Sequence, residues 1–243
     1  MIYRQVTNFY NSYTGKKCVI GYTHNNRNIY AFHVGEPYGK QFIAVYAVHA
    51  REFITAPLAL KHIKEGVKGG GWIIPLLNPD GVVICETRNP LWKANGRGVD
   101  INCNFDADWG SGRLNTRKRG AENCIGDYPF SECESAALAR FTVRIKPAVT
   151  LAFHTKGGEI YWEYSGSGDE RGAQIIAEYT GYLPKKIAGS AGGYKDWCIQ
   201  KLGIPAYTIE CGSDELAHPI ERLGQIKECF GLLKYFTENY EMR

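Results

Sequence analysis

Residues 41–54, QFIAVYAVHAREFI, decide how this chain folds. Residues 41–48 form an almost continuous apolar, β-rich run, as expected of a strand buried on both faces of a mostly parallel sheet. The segment 53–65 predicts a helix, with Phe53, Leu60 and Ile63 among its apolar positions and Pro57 tolerable only near its first turn. His49 thus stands at a strand-to-helix junction. Residues 71–77 (GWIIPLL) predict a second buried strand, stopped by a turn at Asn78-Pro79-Asp80-Gly81. Residues 148–153 (AVTLAF) predict a third strand and 205–209 (PAYTI) a short fourth. Further helices are expected from the capping-box pattern Ser131-Glu132-Cys133-Glu134 to about Lys146, over 169–180, over 192–202 and near 220–239. This alternation predicts an α/β fold, read as one domain over residues 1–243.

Composition excludes several classes. The 243 residues are 44% hydrophobic and 22% charged, close to a soluble globular average and unlike a disordered or fibrous chain. A net charge of +4, with Lys and Arg scattered, gives no nucleic-acid stripe. No stretch approaches the roughly 18 apolar residues of a membrane span, and the N-terminus lacks a basic head and apolar run. The expected location is therefore the cytoplasm. Eight cysteines are dispersed without a Cys-x-x-Cys pair, which favours reduced thiols. From 88 to 130 the chain is polar and rich in Gly, Asn and Arg, and so long an irregular segment is expected to line a cleft.

Three ionisable groups follow the predicted strands directly: His49 after 41–48, His154 after 148–153 and Glu210 after 205–209. Strand C-termini are where open α/β sheets hold ligands. Zinc in hydrolases takes three protein ligands from His and carboxylate and keeps one position open. His49-Ala-Arg-Glu52 offers two ligands three residues apart, and His154 completes a His, Glu, His set. Hydrolysis also needs a base, and a carboxylate in a partly dry site suits that role because burial raises its pKa. Glu210 fits, with a glutamate in a structural salt bridge or at a helix N-terminus as the alternative reading.

These blocks resemble a known family. His49-x-x-Glu52, Asn78-Pro-Asp-Gly81, Trp92-Lys-Ala-Asn-Gly-Arg-Gly-Val-Asp-Ile-Asn102, His154 and Thr208-Ile-Glu210 stand in the order found in zinc metallocarboxypeptidases of the carboxypeptidase A type. The resemblance covers about residues 20–240. It implies a mixed, mainly parallel eight-stranded sheet flanked by helices, one zinc ion held by His49, Glu52 and His154, and Glu210 as general base. It also puts Lys93 where the family carries an arginine that stabilises the oxyanion; lysine supplies the charge without the fork.

Two departures shape the substrate expectation. The family binds a terminal carboxylate through an Asn-Arg pair, and here the pair reads Asn102-Cys103, so the bidentate clamp is missing. The family's closing tyrosine is absent from Ile187-Ala-Gly-Ser-Ala-Gly-Gly193, with Tyr194 out of register. Trp92-Lys-Ala-Asn95 and His154-Thr-Lys-Gly-Gly-Glu-Ile-Tyr-Trp162 resemble a bacterial branch that cuts peptidoglycan stem peptides between γ-D-glutamate and a diamino acid. The expected partner is then a small peptide or muropeptide, bound by Arg51, Asn102 and Arg113. The alternatives are a carboxypeptidase acting on ordinary peptides, a non-catalytic zinc or peptide-binding module, and a cysteine-dependent amidase. His24, His33, His62 and His218 are read as structural, and Cys103 as a small filler rather than a nucleophile.

Overall fold

The computed structural model describes residues 1–242. In chain order the elements are α1 (Ile2–Ser12), β1 (Lys17–Tyr22), β2 (Asn28–Gly35), β3 (Gln41–Tyr46), α2 (Thr55–Glu65), β4 (Gly70–Ile74), α3 (Pro79–Thr87), α4 (Cys133–Ile145) and β5 (Val149–Thr155). There follow β6 (Glu159–Tyr161), β7 (Glu163–Tyr164), β8 (Ser167–Gly168), α5 (Glu170–Thr180), β9 (Leu183–Lys185), α6 (Tyr194–Leu202), β10 (Ala206–Cys211) and α7 (Leu232–Asn239). Eight strands form one sheet in the order β1-β2-β4-β3-β5-β10-β6-β9, and β7 and β8 make a small ribbon. The β4-β3, β3-β5, β5-β10 and β6-β9 pairs are parallel, so the sheet is mixed and mainly parallel, as the resemblance implies.

The alternation of side chains along β3 sorts the core into two layers. Phe42, Ala44 and Tyr46 point into one layer, packed with residues of α1, α2, α5 and α7. Ile43 and Val45 point into the other, with Leu138 and Phe141 of α4 and Trp197 and Cys198 of α6. Burial on both faces is why residues 42–46 carry no charged position. Full burial of each such large side chain contributes about 1.5–3 kcal/mol.

Several boundaries differ from expectation for local reasons. Asn78-Pro-Asp-Gly81 is the start of helix α3 and not a turn: the Asn78 side chain accepts from Gly81 N at 2.9 Å, and Pro79 occupies the first helical position, where its missing N–H costs nothing. The capping box at 131–134 does not form. Glu132 is the N-cap of α4, its own N–H donates to Asn104 Oδ1 at 3.1 Å, and Ser131 Oγ donates to Glu132 Oε1 at 2.9 Å. The helix expected over 220–239 is broken into a 3-10 segment, Leu223–Cys229, and α7, because Gly231 takes a left-handed φ of +71° between them. Helix α1 carried no sequence expectation.

β3 is followed by β4 on one side and flanked by β5 on the other. The chain therefore leaves neighbouring strands in opposite directions, opening a crevice at their C-terminal ends.

Candidate metal centre and cleft

After β3 the chain bends at Ala47, a non-glycine residue at φ +47°. Such a conformation persists only when neighbours fix it. Here Ala47 N donates to Thr55 Oγ1 at 2.8 Å and Ala47 O accepts from Asn78 N at 3.1 Å. His49 then caps a single 3-10 turn, Ala50–Glu52. Residues three apart eclipse on such a turn, which brings His49 and Glu52 to one side.

Asn78 binds this turn to the loop that carries Lys93. Its Nδ2 donates to Val48 O and to Ala94 O, both at 3.1 Å, and Ala50 N donates to Lys93 O at 2.9 Å. Gly81 allows the contact, since a Cβ there would lie 2.3 Å from Ala94 O. The Asn-Pro-Asp-Gly block is a clamp behind the site.

His154 lies in β5 and Glu210 beside it in β10, paired in parallel register. The two strands run slightly further than expected and so include both residues. His49 Nδ1 stands 2.8 Å from Glu52 Oε1, His154 Nδ1 2.9 Å from Glu52 Oε2, and the two Nδ1 atoms are 3.2 Å apart. All three residues are buried, and their ligand atoms fall within 4.8 Å of one another. Atoms about 2.0–2.1 Å from a tetrahedral zinc stand roughly 3.3 Å apart, so this donor set fits the metal. A second observation supports the fit. His49 Nε2 lies 3.1 Å from Asp100 Oδ1, the carboxylate partner that fixes a ligating imidazole with its other nitrogen free to bind. Asp100 in turn forms an ion pair with Lys93 Nζ at 2.8 Å.

The electrostatics follow from this packing. Burial would raise Glu52, yet the His49 and His154 imidazoles hold it well below the carboxylate range. Burial would lower His49, but the charges of Glu52 and Asp100, opposed by Lys93, carry it up to about 9. Burial lowers His154. Glu210 is raised to about 8, first by burial and then by the Glu52 charge, with Lys93 among the groups that oppose the rise.

Of these groups His49, Lys93, Asp100 and Glu210 open onto a cleft of about 340 Å³, whose lining also includes Asn102, Cys103 and Arg113. The 88–130 segment supplies much of that wall, as expected. Asn102 accepts from Tyr194 N through its side-chain Oδ1 at 3.0 Å. Arg113 is exposed on the rim. Arg51 does not line the cleft: its Nη1 donates to Glu122 Oε1 at 2.6 Å, so its fork is engaged by a neighbouring loop. Burial, and then Asp100, pushes the Cys103 thiol well above its usual range, which agrees with a filler and not a nucleophile.

Sequence reasoning gave no role to Asp100, or to Lys195 and Asp196, which also line the cleft. Asp100 sits inside a quoted motif, but only the folded loop brings it to His49. Among the other histidines, His62 is fully buried, with Nδ1 2.6 Å from Tyr46 Oη and Nε2 2.8 Å from Cys229 O, a core role.

Comparison with known proteins agrees with this geometry. The family model described as zinc carboxypeptidase matches residues 71–186. The γ-D-glutamyl-L-diamino acid endopeptidase 1 of Lysinibacillus sphaericus is 29% identical over 76% of this chain. The chain spans 58% of that relative's length. Among solved structures, bovine thrombin-activatable fibrinolysis inhibitor in complex with tick carboxypeptidase inhibitor superposes with a TM-score of 0.82 at 21% identity, over 97% of this chain and 93% of that one. Murein-tripeptide amidase from Escherichia coli O157 gives 0.71 at 21% identity, over 95% of each chain. At such identities the structural likeness speaks for the fold. No helix among the described residues is long and apolar enough to cross a membrane.

Proposed function

We propose that this chain, which carries the zinc carboxypeptidase domain, is a zinc metallopeptidase that hydrolyses the amide between γ-D-glutamate and a diamino acid in peptidoglycan stem peptides. The observation that carries the hydrolase reading is the convergence of His49 Nδ1, His154 Nδ1 and the Glu52 carboxylate, with Glu210 in register beside His154. His49, Glu52 and His154 would hold the zinc. When bound, the metal lowers the pKa of water and polarises the scissile carbonyl.

The rest falls to the chain's own groups. Glu210 takes a proton from the attacking water onto its carboxylate and later delivers it to the leaving nitrogen. Its position in a half-buried cleft wall gives it the proton affinity for both steps. Lys93, held by Asp100, places a fixed positive charge beside the reaction centre, where charge develops on the carbonyl oxygen. Asp100 keeps His49 oriented. Asn102 sits in the cleft wall as a donor for substrate through its free amide nitrogen.

The substrate reading rests on two points. Cys103 stands in the cleft where the clamping arginine would be, which disfavours a terminal carboxylate held bidentately. The Lysinibacillus relative is itself named for γ-D-glutamyl-L-diamino acid bonds. A second reading, removal of C-terminal residues from ordinary peptides, draws on Arg113, an exposed cation on the cleft rim that could meet a carboxylate.

Mass spectrometry of the zinc-loaded protein with L-Ala-γ-D-Glu-meso-diaminopimelate and with a hydrophobic-ended peptide, each with and without chelator, separates the two. Chelator-sensitive release of diaminopimelate supports the first reading, and release of the ordinary terminal residue alone supports the second. Chelator-insensitive cleavage would refute both.

A further inference from the structure

Away from the metal ligands the cleft wall includes the first turn of α6, where Lys195 and Asp196 line the cavity although only 5% and 3% exposed. Lys195 Nζ donates to Asp196 Oδ1 at 2.5 Å and to Glu163 O at 2.7 Å, and lies 5.4 Å from the centre of the Tyr164 ring. Asp196 Oδ2 accepts from Gly193 N at 3.2 Å, which ties the pair to the segment preceding the helix. Thr208 lines the same cleft two residues before Glu210 on β10, so both face the cavity.

An unpaired ammonium at this depth would be strongly disfavoured, and Asp196 neutralises it. The result is a cation and an anion fixed side by side in the wall. Neither is saturated: an ammonium has three donors and two are taken, and a carboxylate has about four acceptor sites of which the contacts above take two. An aliphatic side chain entering here would leave those groups dry and unpaired. A group with one charge would meet one attractive and one repulsive neighbour. A group bearing carboxylate and ammonium on one carbon satisfies both.

We infer that the Lys195–Asp196 pair recognises the free amino-acid end of the diamino residue that leaves, with Lys195 bonding its carboxylate and Asp196 its ammonium. This rests on the γ-D-glutamyl–diamino acid reading and narrows it to residues whose side chain ends in a zwitterion. Lysine, with the ammonium alone, is a poorer leaving residue, and alanine poorer still.

The test is steady-state kinetics of the zinc-loaded full chain on L-Ala-γ-D-Glu-X, with X meso-diaminopimelate, lysine or alanine, for the wild type, Lys195→Met and Lys195→Arg. The wild type should rank them in that order by kcat/KM. Lys195→Met should raise KM for the diaminopimelate peptide by about tenfold or more, as loss of a charge-assisted hydrogen bond implies, with little change in kcat. Lys195→Arg should restore most of the preference. An unchanged KM and ranking in Lys195→Met overturns the inference. If that variant does not fold, equal wild-type rates on the diaminopimelate and alanine peptides overturn it alone. Failure to cleave any of the three overturns instead the reading beneath it.

Discussion

Replacing Asp100 by Asn tests the part of the site that the sequence did not announce. Oδ1 lies 3.1 Å from His49 Nε2 and accepts from Asn102 N at 3.0 Å, and Oδ2 pairs with Lys93 at 2.8 Å. An amide keeps an oxygen for the first two, but turns an NH₂ toward the Lys93 ammonium, donor against donor. Two losses follow. Without the carboxylate behind His49, zinc affinity should fall about 10–100-fold, or about 1.4–2.8 kcal/mol. Lys93, whose side chain is 16% exposed, loses its counter-ion, and breaking a pair at such depth costs about 3–5 kcal/mol of stability. Zinc competition against a chromogenic chelator reads the first, and denaturant unfolding of metal-free protein reads the second. An Asp100→Asn protein with zinc affinity within about twofold of wild type would refute the orienting role. Loss of stability with unchanged zinc affinity would leave Asp100 as the counter-ion of Lys93 only.

Two further outcomes are expected. Glu210→Gln preserves shape and lies outside the ligand set, so zinc content should persist while kcat falls by about 10²–10⁴-fold; normal turnover in that variant would sink the proposed base. His62 is lowered from 6.5 to about 4, first by burial, so the folded state resists its protonation. Between those two values the unfolded chain binds more protons, and stability is complete above pH 6.5 and lost as pH falls toward 4, by about 3 kcal/mol. Chelator-treated wild type and His62→Gln, unfolded in denaturant across that window, should diverge in slope; parallel profiles would refute the assignment.

The strands were legible because burial on both faces leaves nothing charged in them, as in 42–46 and 149–153, and the residues at their ends took their roles from position. His49, Glu52, His154 and Glu210 meet where that pattern puts them. What was not legible depends on the path of the 88–130 loop. Asp100 reaches His49 across 51 residues, and no local period marks such a contact. The signal at 78–81 does follow the end of a strand, but it opens helix α3 and is not a turn, because Asn and Pro serve equally well at a turn and at a helix start. Arg51 was expected at substrate on motif position, but Glu122, a loop residue with no sequence relation to it, holds its guanidinium.

The charges of the cleft also show why one carboxylate is set apart. Glu52 lies between two imidazoles, Asp100 between an imidazole and Lys93, and Asp196 against Lys195. The partners hold Glu52 and Asp100 well below the usual carboxylate range, fit to bind or orient but unfit to exchange a proton near neutrality. Glu210 has no ion-pair partner among the described residues, and burial with the nearby Glu52 charge raises it to about 8. A dication among the three ligands would oppose that Glu52 charge and draw the proton affinity down toward neutral pH. The site thus separates the carboxylates by environment: three are fixed by partners, and the fourth is left free to give and take a proton, as a single acid–base group serving both halves of a hydrolysis must be.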